Sequence, residues 1–282
     1  APECRAIETM SFATDRLAGK GWHAESVSLE VHLADDGLPA ATLRIGTLVL
    51  PSPVGALHGL RVDCAALLIA ANSQRCREAT IRLEDARLDD RPFHAAFHYE
   101  RLQGRFTFEV PDLPWSGLSL SVAGRWERGT LATATVETGT HAFVEVYAPV
   151  QALLPWLPPL EADGGELRVT LTWQDDGRND PALSAAARFT GVSVTAADGA
   201  AATGGLAGRV DLRLHPGGDP GAYRFAADVA LETGEVYVEP VYADLADGAI
   251  TVHARGDYSA RQRHVRFTAL EYEHAQHVSA TF

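Results

Sequence analysis

Lysine is almost missing from this sequence, and basic residues as a class are outnumbered. Lys20 is the one lysine among 24 basic residues, against 37 acidic residues, and the formal net charge is −13. Nucleic acid and anionic lipid headgroups are bound by clustered lysine and arginine side chains. The charge balance therefore argues against both as partners.

Long hydrophobic runs are missing as well. A membrane-spanning helix needs about 18 consecutive apolar residues, and the longest candidates, 65–71 and 150–160, fall short of that length. The chain opens at Ala1-Pro2-Glu3 and closes on a strand-like segment, 278–282. We expect a fragment of a longer protein, such as a cleaved signal or a removed anchor would leave.

Cysteine is scarce, and two of the three cysteines are close together in sequence. Cys64 and Cys76 bracket a stretch able to form a hairpin, and in an oxidising compartment they are expected to form a disulfide. The alternative is a pair of reduced, buried thiols. Cys4 is left over, and its state stays open; lipid attachment is not favoured, because three residues precede it.

Enzyme signatures are absent from the sequence. There is no G-x-S-x-G nucleophile elbow, no phosphate-binding loop, no G-x-G-x-x-G motif and no C-x-x-C pair. The glycine-rich segment 204–208 lies between strands, where a turn or β-bulge is the simpler interpretation. We expect no catalytic residues, no metal and no cofactor.

Four further candidate sites have weak support in the sequence and are not favoured. Each has the right residue types for its chemistry but lacks evidence that the side chains converge. They are a metal site at His264, Glu271, Glu273, His274 and His277; a calcium loop at Asp175, Asp176, Asn179 and Asp180; a carboxylate pair, Glu235 and Glu239; and a sugar platform of Trp22, Trp115, Trp126, Trp156 and Trp173.

Alternation of apolar and polar residues dominates what is present. From residue 26 onward, segments of roughly 6 to 10 residues alternate with period two and end on Gly, Asp, Asn or Pro turns, as antiparallel strands with one apolar face do. The clearest apolar positions are Leu167, Val169, Leu171, Trp173, Val210, Leu212, Leu214, Phe225, Val229 and Leu231. Such a face must be covered by a second sheet, by curling of the sheet, or by a ligand.

Four segments are predicted along the chain. Residues 1–25 form an N-terminal segment with a possible short helix, and residues 26–149 form a first β unit. Leucines at helical spacing, ended by Pro158 and Pro159, predict a short helix and linker over 150–163. Residues 164–282 form a second β unit, truncated at its end.

The order of elements from 150 to 214 resembles a known family. A Leu/Pro/Trp helix (153–158), a Gly-Gly strand ending in Trp (164–173), a strand ending at 197–199 and a Gly-Gly-Leu-Ala-Gly strand (204–214) follow one another. This order is similar to the repeating strands of the AsmA-like bacterial envelope proteins, of the TamB, YhdP and YdbH type. The resemblance covers roughly residues 115–282.

The resemblance implies both a fold and a function. It implies a long, curled antiparallel sheet, open along one side like a gutter, which carries glycerophospholipid acyl chains through the periplasm from an inner-membrane anchor toward the outer membrane. The ten alternating apolar residues would line that groove, and other envelope proteins would be partners. A closed β-sandwich or solenoid, serving as a structural or interaction module without lipid, has the same alternation and stays open.

Overall fold

The computed structural model describes residues 8–19, 22–33, 38–50, 55–85, 88, 91–128, 131–153, 159–176, 181–218, 221–259, 262, 264–274 and 278–281. They form two compact units, Ala1–Arg128 and Gly129–Phe282. We expected the first β unit to extend to residue 149; the division instead falls after Arg128.

The first unit is an antiparallel meander. Each strand pairs with the next along the chain, except that β4 pairs with β6, and β5 forms a short hairpin with β6. The strands are β1 (Thr9–Gly19), β2 (Trp22–His32), β3 (Ala40–Val49), β4 (Ala56–Cys64), β5 (Leu67–Ala70), β6 (Ser73–Glu84), β7 (Phe93–Glu100), β8 (Arg105–Trp115) and β9 (Leu118–Glu127).

The second unit is also an antiparallel meander, with longer strands. β12 pairs with β10, β11 and β13, and the order continues β13, β14, β15, β17, β18, β19, with β16 folded back on the end of β15. The elements are β10 (Leu131–Thr138), β11 (His141–Ala142), α1 (Phe143–Leu153), β12 (Leu160–Asp175), β13 (Ala182–Ala196), β14 (Ala201–Pro216), β15 (Ala222–Val238), β16 (Val241–Asp244), a 3-10 turn (Leu245–Asp247), β17 (Ile250–Ser259), β18 (His264–His274) and β19 (Val278–Thr281).

The predicted fold class, all-β with an open antiparallel sheet and one short helix, is confirmed. Within the described residues of the first unit no pairing joins β1 to β9, and within those of the second none joins β10 to β19. Closure into a barrel therefore does not cover the apolar face of either unit within these residues.

The helix begins upstream of its predicted position. We expected it near 150–160, with a strand over 141–148; α1 instead spans Phe143–Leu153, and residues 154–158, including Trp156, lie outside the described residues. Phe143, Val146, Tyr147 and Val150 recur at helical spacing, which outweighs the interior Pro149. No helix in the described part of the chain has the length and apolarity to cross a membrane.

The helix considered for the N-terminal segment is wrong for its described part. Residues 9–19 form strand β1, in which Met10 pairs with Val31 and Phe12 with Leu29. Met10 and Phe12 are two residues apart, which is the strand period, and pairing with β2 places them on the apolar face of the first unit.

An apolar row crosses six strands of the first unit. Each member pairs directly with the next: Phe12, Leu29, Leu43, Val62, Ile81 and Phe93. At one end of this face a disulfide joins Cys64 to Cys76, and both cysteines are buried, against Leu67 and Ala79. The predicted disulfide therefore closes the β5–β6 hairpin onto β4.

Reduction of this disulfide should destabilise the first unit. A crosslink between residues 12 apart restricts the unfolded chain, and its loss should cost about 3 kcal/mol in free energy of unfolding. Thermal melting with and without reductant measures the difference, and a Cys64→Ala, Cys76→Ala variant should melt like the reduced protein. Peptide mass spectrometry that finds both thiols alkylated in unreduced native protein would contradict the crosslink.

Four glycines form a line of β-bulges across the second unit. Gly165, Gly191, Gly205 and Gly234, one on each of β12 to β15, have positive φ angles of 104°, 63°, 58° and 105°. The pairing register shifts at the same places along β12, β13 and β14. A bulge bends its strand, so a line of bulges bends the whole sheet at one level. We call these residues the bulge line.

Gly234→Ala should be a strongly damaging small change at the bulge line. A Cβ atom there would lie 2.7 Å from Leu206 Cα and 2.8 Å from Gly204 O, at a φ angle of +105°. The expected loss is about 2–4 kcal/mol in free energy of unfolding. Urea denaturation measures it.

Gly191→Ala is the matched control. It also has a positive φ angle, +63°, but no heavy atom lies within 4 Å of the added Cβ, so its cost should be about 1 kcal/mol. Equal losses in the two variants would show that close backbone approach at Gly234 does not hold the bend.

Candidate functional site

The candidate site is the apolar face of the second unit, assembled by cross-strand pairing. Directly paired residues of antiparallel strands share a face. Val169 pairs with Ala187, which pairs with Val210, which pairs with Val229. The same ladder links the remaining predicted groove residues, so all ten lie on one face of the sheet. We call this surface the apolar face.

Three rows of this face run across β12, β13, β14, β15, β17 and β18. Members of each row are consecutive cross-strand partners. The rows are Val169, Ala187, Val210, Val229, Val252, Tyr272; then Leu171, Ala185, Leu212, Ala227, Ala254, Leu270; then Trp173, Leu183, Leu214, Phe225, Gly256, Phe267. In the middle row, one or two alanines separate each leucine from the next.

None of the ten predicted residues is buried. Leu171 is 40% exposed, and the other nine are half-buried. Apolar side chains of a sheet packed against a second sheet interdigitate and lose contact with water. The apolar face is therefore accessible to solvent at these ten positions.

One end of the apolar face is closed by a packed cluster. Val192, Leu206, Leu245 and Ile250 are buried together, with Phe143 of α1 against them. Val192 directly follows Gly191, and Leu206 directly follows Gly205. Both residues therefore lie at the bend of the sheet, where they pack in one cluster with Ile250. Burial at this level also raises the pKa of Tyr147 in α1, by desolvation of the phenolate.

A buried polar atom lies near this closed end. His274 pairs with Ile250, and its Nε2 is buried without a hydrogen-bond partner in the described structure. An unpaired buried nitrogen costs about 1–3 kcal/mol, so His274 lowers the stability of the closed end.

Aromatic rings cover two glycines of the apolar face. Phe225 lies over Gly256, where a Cβ atom would come 2.6 Å from Phe225 Cε1, and its ring meets Phe267 edge-on at 5.6 Å. Phe189 lies over Gly208 in the same way. A ring over a glycine lies low on the sheet, so these large residues keep the face shallow.

Several residues of the face were not predicted from the sequence. β13 contributes Leu183 and Phe189, but its alanine run, 185–187, hides the alternation. β17 and β18 contribute residues whose signal was present: Ile250, Val252 and Ala254 alternate with Thr251, His253 and Arg255. The pairing between strands, rather than any single strand, identifies the complete surface.

The weaker candidate sites do not assemble among the described residues. Glu271 and Glu273 pair with His253 and Thr251 on the polar face, whereas His274 pairs with Ile250 on the apolar one. No three metal-ligating side chains converge within the described chain; His277 and the calcium-loop residues Asn179 and Asp180 lie outside it.

The carboxylate pair and the tryptophans are likewise separated. Glu235 on β15 pairs with Asp244 on β16, and Glu239 lies in the turn between these two strands. Among the described tryptophans, Trp22, Trp115, Trp126 and Trp173 each pair with another residue type, so no two are cross-strand neighbours. No stacked platform forms from them.

Comparison with known proteins adds no relative: no family model, curated protein or solved structure matches this chain.

Proposed function

We propose that this chain is a periplasmic segment of a lipid-transfer bridge, and that it carries glycerophospholipid acyl chains along the apolar face of the second unit. It is not an enzyme in this proposal. Its other partners are the remainder of a longer, inner-membrane-anchored chain and proteins of the cell envelope. The observation that carries the proposal is the set of continuous apolar rows in which the predicted groove residues stay partly exposed.

Acyl chains suit such a surface for a simple physical reason. Each methylene removed from water contributes about 0.8 kcal/mol, and rows of leucine and valine give a chain continuous contact without a specific polar group. An exposed apolar sheet of this extent would otherwise promote association. The lipid headgroup stays in water, so the net charge of −13 does not oppose binding.

Two further observations support the cellular setting. The buried Cys64–Cys76 disulfide suits an oxidising compartment such as the periplasm. The order of elements that resembles AsmA-like proteins coincides with the second unit, including its bulge-line glycines Gly165 and Gly205.

A structural or interaction module of the envelope is the second candidate. The closed-end cluster around Val192 and Ile250 favours it, because that part of the sheet is packed without room for a ligand. In that case the open rows would contact another protein rather than lipid.

Leu212→Asp should prevent lipid binding without unfolding the protein. Leu212 is half-buried between Ala185 and Ala227, so a carboxylate there can reach water, and its cost in stability should be about 1 kcal/mol. An acyl chain crossing that position would have to desolvate the charge. Gentle purification, solvent extraction and mass spectrometry measure bound lipid, and thermal melting measures stability.

Ser184→Asp is the matched control, because it places the same charge on the opposite face of the adjacent strand. It should leave the lipid content unchanged. Phe225→Asp should also abolish lipid binding, with a larger loss of stability, since Phe225 packs on Phe267. Lipid absent from the wild type, together with a large fall in melting temperature in both Leu212→Asp and Phe225→Asp, would reject the lipid proposal and support a packed module.

A further inference from the structure

Three arginines stand in direct register on the polar face of the second unit. Arg168 on β12 pairs with Arg188 on β13, and Arg188 pairs with Arg209 on β14. All three are exposed, and alternation puts them on the face opposite Val169 and Val210. We call them the arginine row.

The charge of this row is only partly balanced. Arg168 Nη2 lies 3.5 Å from Glu137 Oε2. Within the described chain, no carboxylate oxygen comes within the 4.0 Å ion-pair distance of Arg188 or Arg209. Asp211, two residues beyond Arg209, pairs with Asp228 and Ala186 instead. Like charges directly opposite each other destabilise a sheet, so two unpaired guanidinium groups side by side need a counterion.

The first unit contains a comparable row in which two of the three arginines have carboxylate partners. Arg44, Arg61 and Arg82 pair in succession across β3, β4 and β6. Here Arg61 Nε donates to Asp63 Oδ2 at 2.7 Å, and Arg44 Nη1 lies 3.4 Å from Glu30 Oε2. The hydrogen bond from Arg61 lowers the pKa of Asp63. Carboxylates within the first unit therefore balance two arginines of its row, including the central one, whereas in the arginine row only Arg168 has such a partner.

The chemistry of guanidinium groups identifies the class of ligand. Each offers a planar fork of N–H donors that matches the oxygens of phosphate. Neighbouring strands lie about 4.8 Å apart, so Arg188 and Arg209 can approach one tetrahedral oxyanion from two sides. A phosphate group has enough acceptor oxygens and charge for both forks, whereas a single carboxylate satisfies one.

We propose that Arg188 and Arg209, flanked by Arg168, bind a phosphate group on the polar face of the second unit. The phosphate is either free in solution or part of a phospholipid headgroup at a membrane surface. This site is separate from the proposed acyl-chain surface, because the two lie on opposite faces of one sheet. Net charge alone argues against anionic partners, but register gathers arginines that are far apart in sequence.

Titration calorimetry with inorganic phosphate at constant ionic strength tests the site. Saturable binding is expected for the wild-type protein, with affinity at least tenfold weaker in an Arg188→Gln, Arg209→Gln variant. Arg188→Lys keeps the charge but loses the fork, so an intermediate loss is expected. Phosphate should raise the melting temperature of the wild type and not that of the double variant, which separates lost binding from misfolding.

Arg61→Gln is the matched control, since it removes an arginine that already has a carboxylate partner in Asp63, and it should bind phosphate like the wild type. Sedimentation with phosphatidylcholine vesicles, with and without phosphatidic acid, is the second arm. Binding to vesicles alone assigns the phosphate to a headgroup, and binding in solution alone assigns it to a free phosphate. No binding in either arm, or an equal loss in Arg61→Gln and the double variant, would overturn the proposal.

Discussion

Cross-strand register is the constraint on which both candidate surfaces of the second unit depend. Because side chains alternate with period two, fixing which residues pair also fixes which residues share a face. The pairing of Ala187 with Val210 and the pairing of Arg188 with Arg209 are consecutive steps of one ladder. A slip of one residue between β13 and β14 would break the apolar rows and the arginine row together. Selection on either face therefore constrains the other.

The bulge line sets where the apolar face ends. Without a break in alternation, the apolar face would extend along the full length of strands β12 to β15. Positive φ angles at Gly165, Gly191, Gly205 and Gly234 interrupt the pleat at one level, and beyond it strand residues such as Val192 turn onto Ile250. The glycines thereby convert one continuous sheet surface into a packed end and an open remainder. Their role is backbone geometry, because glycine adopts these positive φ angles at a lower cost than other residues.

How much of this was visible in the sequence depended on the range of the signal. Alternation along Leu167 to Trp173 is local, so the strands and the groove residues on them were predictable. The segment from Phe143 to Val150 fits both the helix period and the strand period. Its helix was not predicted, because the alternating segments before it favoured a strand. Met10 and Phe12 needed their partners on β2 to be recognised as strand. The arginine row was not predictable at all, since Arg168, Arg188 and Arg209 become neighbours only through pairing.

Alternation alone cannot distinguish a face that holds lipid from one that packs on protein, and the degree of exposure is what separates them. In a sandwich the central rows would be the most deeply buried part of the sheet. Here the order is reversed: burial concentrates around Val192 and Leu206 at the bulge line, and Leu171 and Leu212 in the middle row stay accessible. A surface that is tightly packed at one end and accessible along its rows is compatible with the apolar cargo that we propose. The packed end stabilises the bend of the sheet, and the remaining rows keep apolar area available for contact with a ligand.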